Sequence, residues 1–214
     1  MQPRPTATPP ATVFIVDDEA DVRDALSLLL RSVALRAVAY PDAPTFLDRH
    51  ERNACPACLL ADLRMPGMSG LDLFAELKRR GSAIPTIVMT GHGEVSVAVR
   101  AMKAGAFDFI EKPFRDQALL DLVQQALTAS MQVRDAAAQR VEIETRASRL
   151  TPREREVMDL VVLGKLNKVI AHELGLSIRT VELHRARLME KMEAKTFSDL
   201  VRMAVALGPV RSAV

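Results

Sequence analysis

The 214-residue sequence predicts two units in one chain, an α/β unit built on a parallel sheet followed by an all-helical unit. Three observations carry that reading. Short aliphatic and β-branched runs alternate with helical stretches over residues 12–128, the signature of parallel strands covered on both faces. From Thr151 onward the pattern changes to a helix, a short helix, a Gly turn and a longer basic helix. Charge follows the same division: residues 1–130 hold 14 Lys/Arg against 16 Asp/Glu, whereas residues 149–214 hold 12 against 8. An acidic front and a basic back fit one part that handles metal and phosphate and another that meets a polyanion.

The elements follow in order. After a strand at Val13–Asp17, the residues Val22, Leu26, Leu29, Leu30 and Val33 mark one face of a first helix. A strand at Leu35–Tyr40 leads to a short helix near Asp42–His50. The strand Cys58–Asp62 ends in the loop Arg64-Met65-Pro66-Gly67, and a helix runs from Gly70 to Arg80. Next come strand Ile84–Thr90, a helix near Glu94–Ala104 and strand Phe107–Lys112. A fifth helix starts near Asp116, with Leu120, Val123, Leu127 and Met131 as its inner stripe, which closes a (βα)₅ count. Residues 129–147 favour helix but lack a broad apolar face, so they read as a solvated helical linker. Val133, Ala137, Val141 and Glu144 give only a poor coiled-coil seam.

The chemistry lies at the strand ends. Asp17 and Asp18 follow VFIV, Asp62 follows CLLA, Thr90 follows IVM, and Lys112 follows FDFIE. Parallel sheets bind ligands beyond the carboxyl ends of their strands, so these residues should converge there. Three crowded carboxylates repel one another unless a cation joins them, and an all-oxygen donor set suits Mg²⁺. A lysine and a hydroxyl on the same rim are what an incoming phosphoryl group requires. The pattern predicts a site that accepts phosphate on an aspartate.

VDDE, DLRMPGMSG, MTGHG and EKPF, in that order and spacing, resemble the receiver domain of two-component response regulators, with its flavodoxin-like fold, over residues 12–128. The resemblance implies Asp62 as phosphoacceptor and Mg²⁺ held by Asp17, Asp18, Asp62 and the backbone carbonyl of Arg64. It also implies Thr90 and Lys112 on the phosphoryl oxygens, Phe109 as the aromatic switch residue beside Thr90, and a cis Lys112–Pro113 bond.

In the second unit, Thr151-Pro152-Arg153-Glu154 is a capping box with proline at the first helical position. Val157, Leu160, Val161 and Gly164 line the helix that follows. A short helix at Asn167–Leu174 stops at Gly175, and Ser177 caps a helix running to Met192. Phe197, Leu200, Val201 and Ala204 mark a last helix. This is the helix-turn-helix pattern. At 100° per residue, Val181, Leu188 and Met192 of the long helix face the core. Arg179, Leu183, Ala186 and Glu190 point away, flanked by Glu182 and Arg187. Thr180, His184, Arg187 and Lys191 form a column suited to a phosphate strand, while Glu182, Leu183 and Ala186 suit base edges.

Residues 148–208 resemble the LuxR/FixJ-type helix-turn-helix, and the whole chain resembles a FixJ/NarL-type response regulator. That resemblance implies a sensor histidine kinase as phosphodonor, homodimerisation on phosphorylation, double-stranded promoter DNA and RNA polymerase as partners, and Lys168 among the DNA contacts. It implies a regulator and not an enzyme in the turnover sense. One departure stands out: the family's S-N-K-E-I-A is Leu166-Asn167-Lys168-Val169-Ile170-Ala171 here, so both polar members of a capping box are apolar.

Other classes fit less well. A small-molecule-responsive LuxR-like regulator needs an aromatic pocket, and the chain has no Trp and one Tyr. An aspartate-nucleophile phosphatase needs an acid two residues after the nucleophile, where Arg64 stands. Cys55-Pro56-Ala57-Cys58 could be a redox or zinc pair, but Cys58 opens an apolar strand and only His50 lies near, so packing is the preferred role. No run approaches the ~18 apolar residues of a membrane span. Residues 1–11 read as a disordered Pro/Thr-rich tail without an apolar signal region, and the expected location is cytoplasmic.

Overall fold

The computed structural model describes residues 11–50, 56–91 and 95–208, with the side chains of 95–98 excepted. The expected tail, Cys55 and the His92–Glu94 stretch lie outside the described residues. Two units emerge, divided between Arg134 and Asp135.

The first unit is a five-stranded parallel sheet: β1 (Thr12–Val16), β2 (Arg36–Tyr40), β3 (Ala57–Asp62), β4 (Thr86–Thr90) and β5 (Asp108–Glu111), in the order β2-β1-β3-β4-β5. Its helices are α1 (Ala20–Ser32), α2 (Ala43–Arg49), α3 (Gly70–Arg79), α4 (Val95–Ala104) and the start of α5 (Asp116–Ser148). Every residue of β1 and β3 is buried, as strands with helices on both faces must be. Alternate residues feed two cores. Val13, Ile15, Cys58 and Leu60 pack with α1 and α5, and Phe14, Val16, Leu59 and Ala61 pack with α2 and α3. In the second of these, the Phe46 ring meets Phe14 edge-on at 5.6 Å and stacks on His50 at 4.3 Å.

The expected helix faces shift in detail. Val33 is 46% exposed because α1 ends at Ser32 and the chain turns through Ala34 at φ 59. The inner stripe of α5 is Leu119, Val123, Ala126 and Leu127, with Leu120 half-buried and Met131 exposed. Its next position is polar: the Ser130 hydroxyl accepts the Ala57 N–H at 3.1 Å, completing a strand-start backbone group.

Fifth helix and linker form one element of 33 residues, α5. Residues 131–142 are exposed throughout, including Val133 and Val141, as a solvated extension should be. The second unit adds α6 (Pro152–Val162), α7 (Asn167–Leu174), α8 (Ile178–Met192) and α9 (Phe197–Ala206). Val157, Val161, Ile170, Val181, Leu188, Met192 and Leu200 form its core. Ala147 is buried in that core and Ile143 packs against it, so these residues, read from sequence as linker, belong to the helical domain.

Candidate functional site

Strand order places the first site. β1 and β3 are neighbours, and on either side of them the chain winds in opposite directions, the switch point where ligands bind in open parallel sheets. Their register pairs Val16 with Ala61, so the next residues, Asp17 and Asp62, arrive side by side. Both are buried, Asp17 fully and Asp62 at 8% exposure. Lys112, one residue past β5, reaches across with Nζ 2.9 Å from Asp17 Oδ2 and 2.5 Å from Asp62 Oδ1. Thr90 is buried at the end of β4, and its carbonyl accepts the Lys112 N–H at 2.7 Å. The Lys112–Pro113 bond is cis. Phe109 sits half-buried on β5 against Leu63, Phe74, Val88 and Ala101.

Backbone donors complete the carboxylates. Asp17 Oδ1 accepts the Glu19 N–H at 2.9 Å, and Asp62 Oδ2 accepts the Arg64 N–H at 2.8 Å. Burial pushes the Asp62 carboxyl above its ordinary range, and the Lys112 ammonium pulls it back only in part. Burial also works against the Lys112 ammonium, but its bonds to Asp62 and Asp17 outweigh that and raise its pKa.

The expected trio of carboxylates is not drawn together. Asp18 is exposed, and among the described residues no three His, Cys, Asp or Glu side chains close into a metal-holding group. The cation between Asp17 and Asp62 is the ammonium of Lys112. The donor chemistry still suits Mg²⁺, which keeps several waters and needs only one or two carboxylates.

Two supporting residues escaped the sequence reading. Arg23 donates to the Asp17 carbonyl at 2.7 Å, fixing the acidic loop from α1. Gly70 lets α3 lie against the phosphoacceptor backbone, since a Cβ there would fall 2.3 Å from the Asp62 carbonyl oxygen. The glycine one residue past the Ser69 cap was the available signal.

Cys58 is fully buried, and burial pushes its thiol up to about 12, so it packs as a small apolar side chain. The His50 ring bonds the Phe46 carbonyl through Nδ1 at 2.7 Å and stacks on the Phe46 ring.

In the second unit, Val181, Leu188 and Met192 of α8 are buried, while Arg179, Glu182, Leu183, Ala186, Arg187 and Glu190 are exposed. The expected phosphate column is divided. Arg187 is open to solvent, but Thr180 lies 2.8 Å from the Ser177 hydroxyl and His184 is half-buried with Nδ1 enclosed. Lys191 Nζ sits 2.6 Å from Glu154, a carboxylate only 2% exposed that also accepts the Thr151 N–H. A buried acid requires a paired cation, and Lys191 is that cation. Lys168, Arg179 and Arg187 are exposed on this surface. α7 starts as the sequence departure implies: Leu166 is the N-cap, has no side-chain cap bond and is 74% exposed. Asn167 does not cap. Its Oδ1 accepts from Arg185 at 2.7 Å, tying α7 to α8.

Among the described residues no helix is long and apolar enough to cross a membrane. Residues 13–124 match the response regulator receiver domain, and residues 148–204 match the bacterial regulatory proteins of the luxR family. The transcriptional regulatory protein FixJ of Bradyrhizobium diazoefficiens is 40% identical over 92% of this chain and 95% of its own. Nodulation protein W of the same organism is 44% identical over 94% and 88%. Among solved structures, the response regulator StyR covers 92% of this chain and 98% of its own at 40% identity, with a TM-score of 0.80. Full-length FixJ from B. japonicum covers 91% and 96% at 39% identity, with a TM-score of 0.56. The chain therefore belongs to the response regulators, as a FixJ-like, non-enzymatic member with a receiver domain and a LuxR-type DNA-binding domain.

Proposed function

We propose that the protein is a phosphorylation-dependent transcriptional regulator that takes phosphate on Asp62 from a sensor histidine kinase. The observation that supports this most is the Asp17–Asp62 pair, adjacent by strand register and bridged by the Lys112 ammonium. An Asp62 carboxylate oxygen attacks phosphorus in line, the P–N bond to the donor imidazole breaks, and its electron pair stays on the ring nitrogen. Catalysis of such a transfer is mostly positioning and electrostatics. Lys112 already lies within bonding reach of Asp62 and takes one phosphoryl oxygen, and the Thr90 hydroxyl takes another. Asp17, Asp18, Asp62 and the Arg64 carbonyl would hold Mg²⁺, which supplies neutralising charge for the phosphoryl oxygens when bound.

Thr90 moving toward the phosphoryl group draws Phe109 inward, and the changed α4–β5 face pairs two receivers. In the dimer, two α8 helices enter major grooves of a near-palindromic promoter site. Arg179, Arg187 and Lys168 meet phosphates, while Glu182, Leu183 and Ala186 face base edges. RNA polymerase is the partner at the promoter.

The test is Asp62→Asn, incubated with a small phosphodonor and Mg²⁺. The amide is isosteric but cannot attack phosphorus, so the parent incorporates one acid-labile phosphate, dimerises and binds a selected DNA site more tightly, and the variant does none of these. Equal labelling of parent and variant refutes the assignment.

A further inference from the structure

The last turn of α8 is held from two sides. On one, Lys191 pairs with the buried Glu154 of α6 at 2.6 Å. On the other, the Met192 carbonyl, one of the four that a helix leaves without an internal partner at its C-terminus, accepts from Arg146 of α5 at 3.4 Å. The same guanidinium meets the Glu193 carboxylate at 3.0 Å and Glu142 at 2.6 Å, and Arg149 meets Glu193 at 3.7 Å. Glu193 needs such support, because as the C-cap of α8 it takes φ 54, a left-handed conformation that side chains other than glycine rarely adopt.

Arg146 is well placed to hold it. Its side chain is 18% exposed, and its turn of α5 is fixed by Ala147 in the core and by Arg155, which donates to the Ala147 carbonyl at 2.9 Å. A cation at a helix C-terminus also complements the helix dipole. Yet Arg146 precedes the segment that matches the luxR family, residues 148–204.

We propose that the α5 turn carrying Arg146 is a working part of the DNA-binding domain, and that Arg146 is a positioning residue for α8, acting through the Met192 carbonyl and the Glu193 carboxylate. The proposal rests on α8 being the DNA-contacting helix. A rival role is that these residues act on DNA only through their charge, and the two roles predict opposite signs at Glu193. Neutralising an acid beside a polyanion tightens binding when charge alone matters. Releasing the end of α8 weakens it.

The experiment uses the full-length, phosphorylated chain on a selected site and on random DNA across a salt series, with Arg146→Gln, Glu193→Gln and the double variant. Each single variant is expected to weaken binding to the selected site about three- to tenfold with an unchanged salt slope, and the double variant to lose little more than the worse single. Tighter or unchanged binding by Glu193→Gln, or a shallower salt slope for Arg146→Gln, overturns the proposal. Thermal melts accompany the binding data. If Arg146→Gln unfolds the C-terminal unit, Glu193→Gln decides alone, because it keeps the Arg146–Met192 bond. A parent that binds no DNA at all refutes the function proposed above, whereas a binding parent with an unaffected Glu193→Gln refutes only the role of Arg146.

Discussion

Restoring a cap to α7 should stabilise the DNA-binding domain, and the size of the gain can be worked out from the structure. Leu166 has the extended backbone of an N-cap, φ −72 and ψ 150, but offers no acceptor to the first turn. Elsewhere the chain uses full capping boxes, Ser69 with Asp72, Thr151 with Glu154 and Thr196 with Asp199. Leu166→Ser supplies a hydroxyl at the same place, worth about 1 kcal/mol. Leu166 is 74% exposed, so only about a quarter of a leucine's burial energy is lost, roughly 0.5 kcal/mol. The net gain is about 0.5 kcal/mol, which raises Tm by roughly 2–4 °C in a unit of this size. Calorimetry of the full chain reads it directly, with the C-terminal transition identified as the one Mg²⁺ does not move. Leu166→Ala is the control, because it removes the same apolar contact without giving an acceptor and should lower Tm. If Leu166→Ser is no more stable than Leu166→Ala, the start of α7 is not limited by its missing cap.

Three further outcomes are expected. Millimolar Mg²⁺ should raise the melting temperature of the receiver by mass action, and Asp18→Ala should shrink that shift; an undiminished shift in the variant removes Asp18 from the pocket. Glu154 resists protonation because Lys191 and Thr151 together outweigh its burial, so its pKa is lowered and its stabilisation is present above pH 4.5 and lost as pH falls below. Glu154→Gln should cost about 1–3 kcal/mol at neutral pH through the lost charged partner of Lys191 and Thr151, and should flatten the acid limb of a pH–stability curve; an unchanged limb refutes the pairing. Gly70→Ala should slow phosphate uptake at saturating Mg²⁺ and donor, because the new methyl must displace the Asp62 backbone, and parental labelling kinetics would show that α3 yields instead.

Much of the receiver was legible because its strands end abruptly. VFIV, CLLA and IVM are apolar runs closed by an acid or a hydroxyl, and both the strand and the functional rim are encoded at one boundary. Helix faces were less legible where two candidates stand together. Leu119 and Leu120 are equivalent to a periodicity argument, and only the sheet behind them makes Leu119 the buried one. The helical character of residues 129–147 was legible, but not the part of α5 each domain claims, which is set by what packs on Ile143 and Ala147. The surroundings of the phosphate column were hidden for a related reason. An angle around α8 gives the direction of Lys191 but not its neighbour, and that neighbour is the buried carboxylate of a box on another helix. The same applies to Asp17, whose cationic partner is contributed 95 positions away.

Lys112 offsets one of the two carboxylate charges at the end of the receiver's sheet. With its ammonium between Asp17 and Asp62, the sheet end carries its own counter-ion. The mutual repulsion of the two carboxylates is reduced by a side chain of the same domain, contributed from just past a strand, β5, that pairs with neither β1 nor β3.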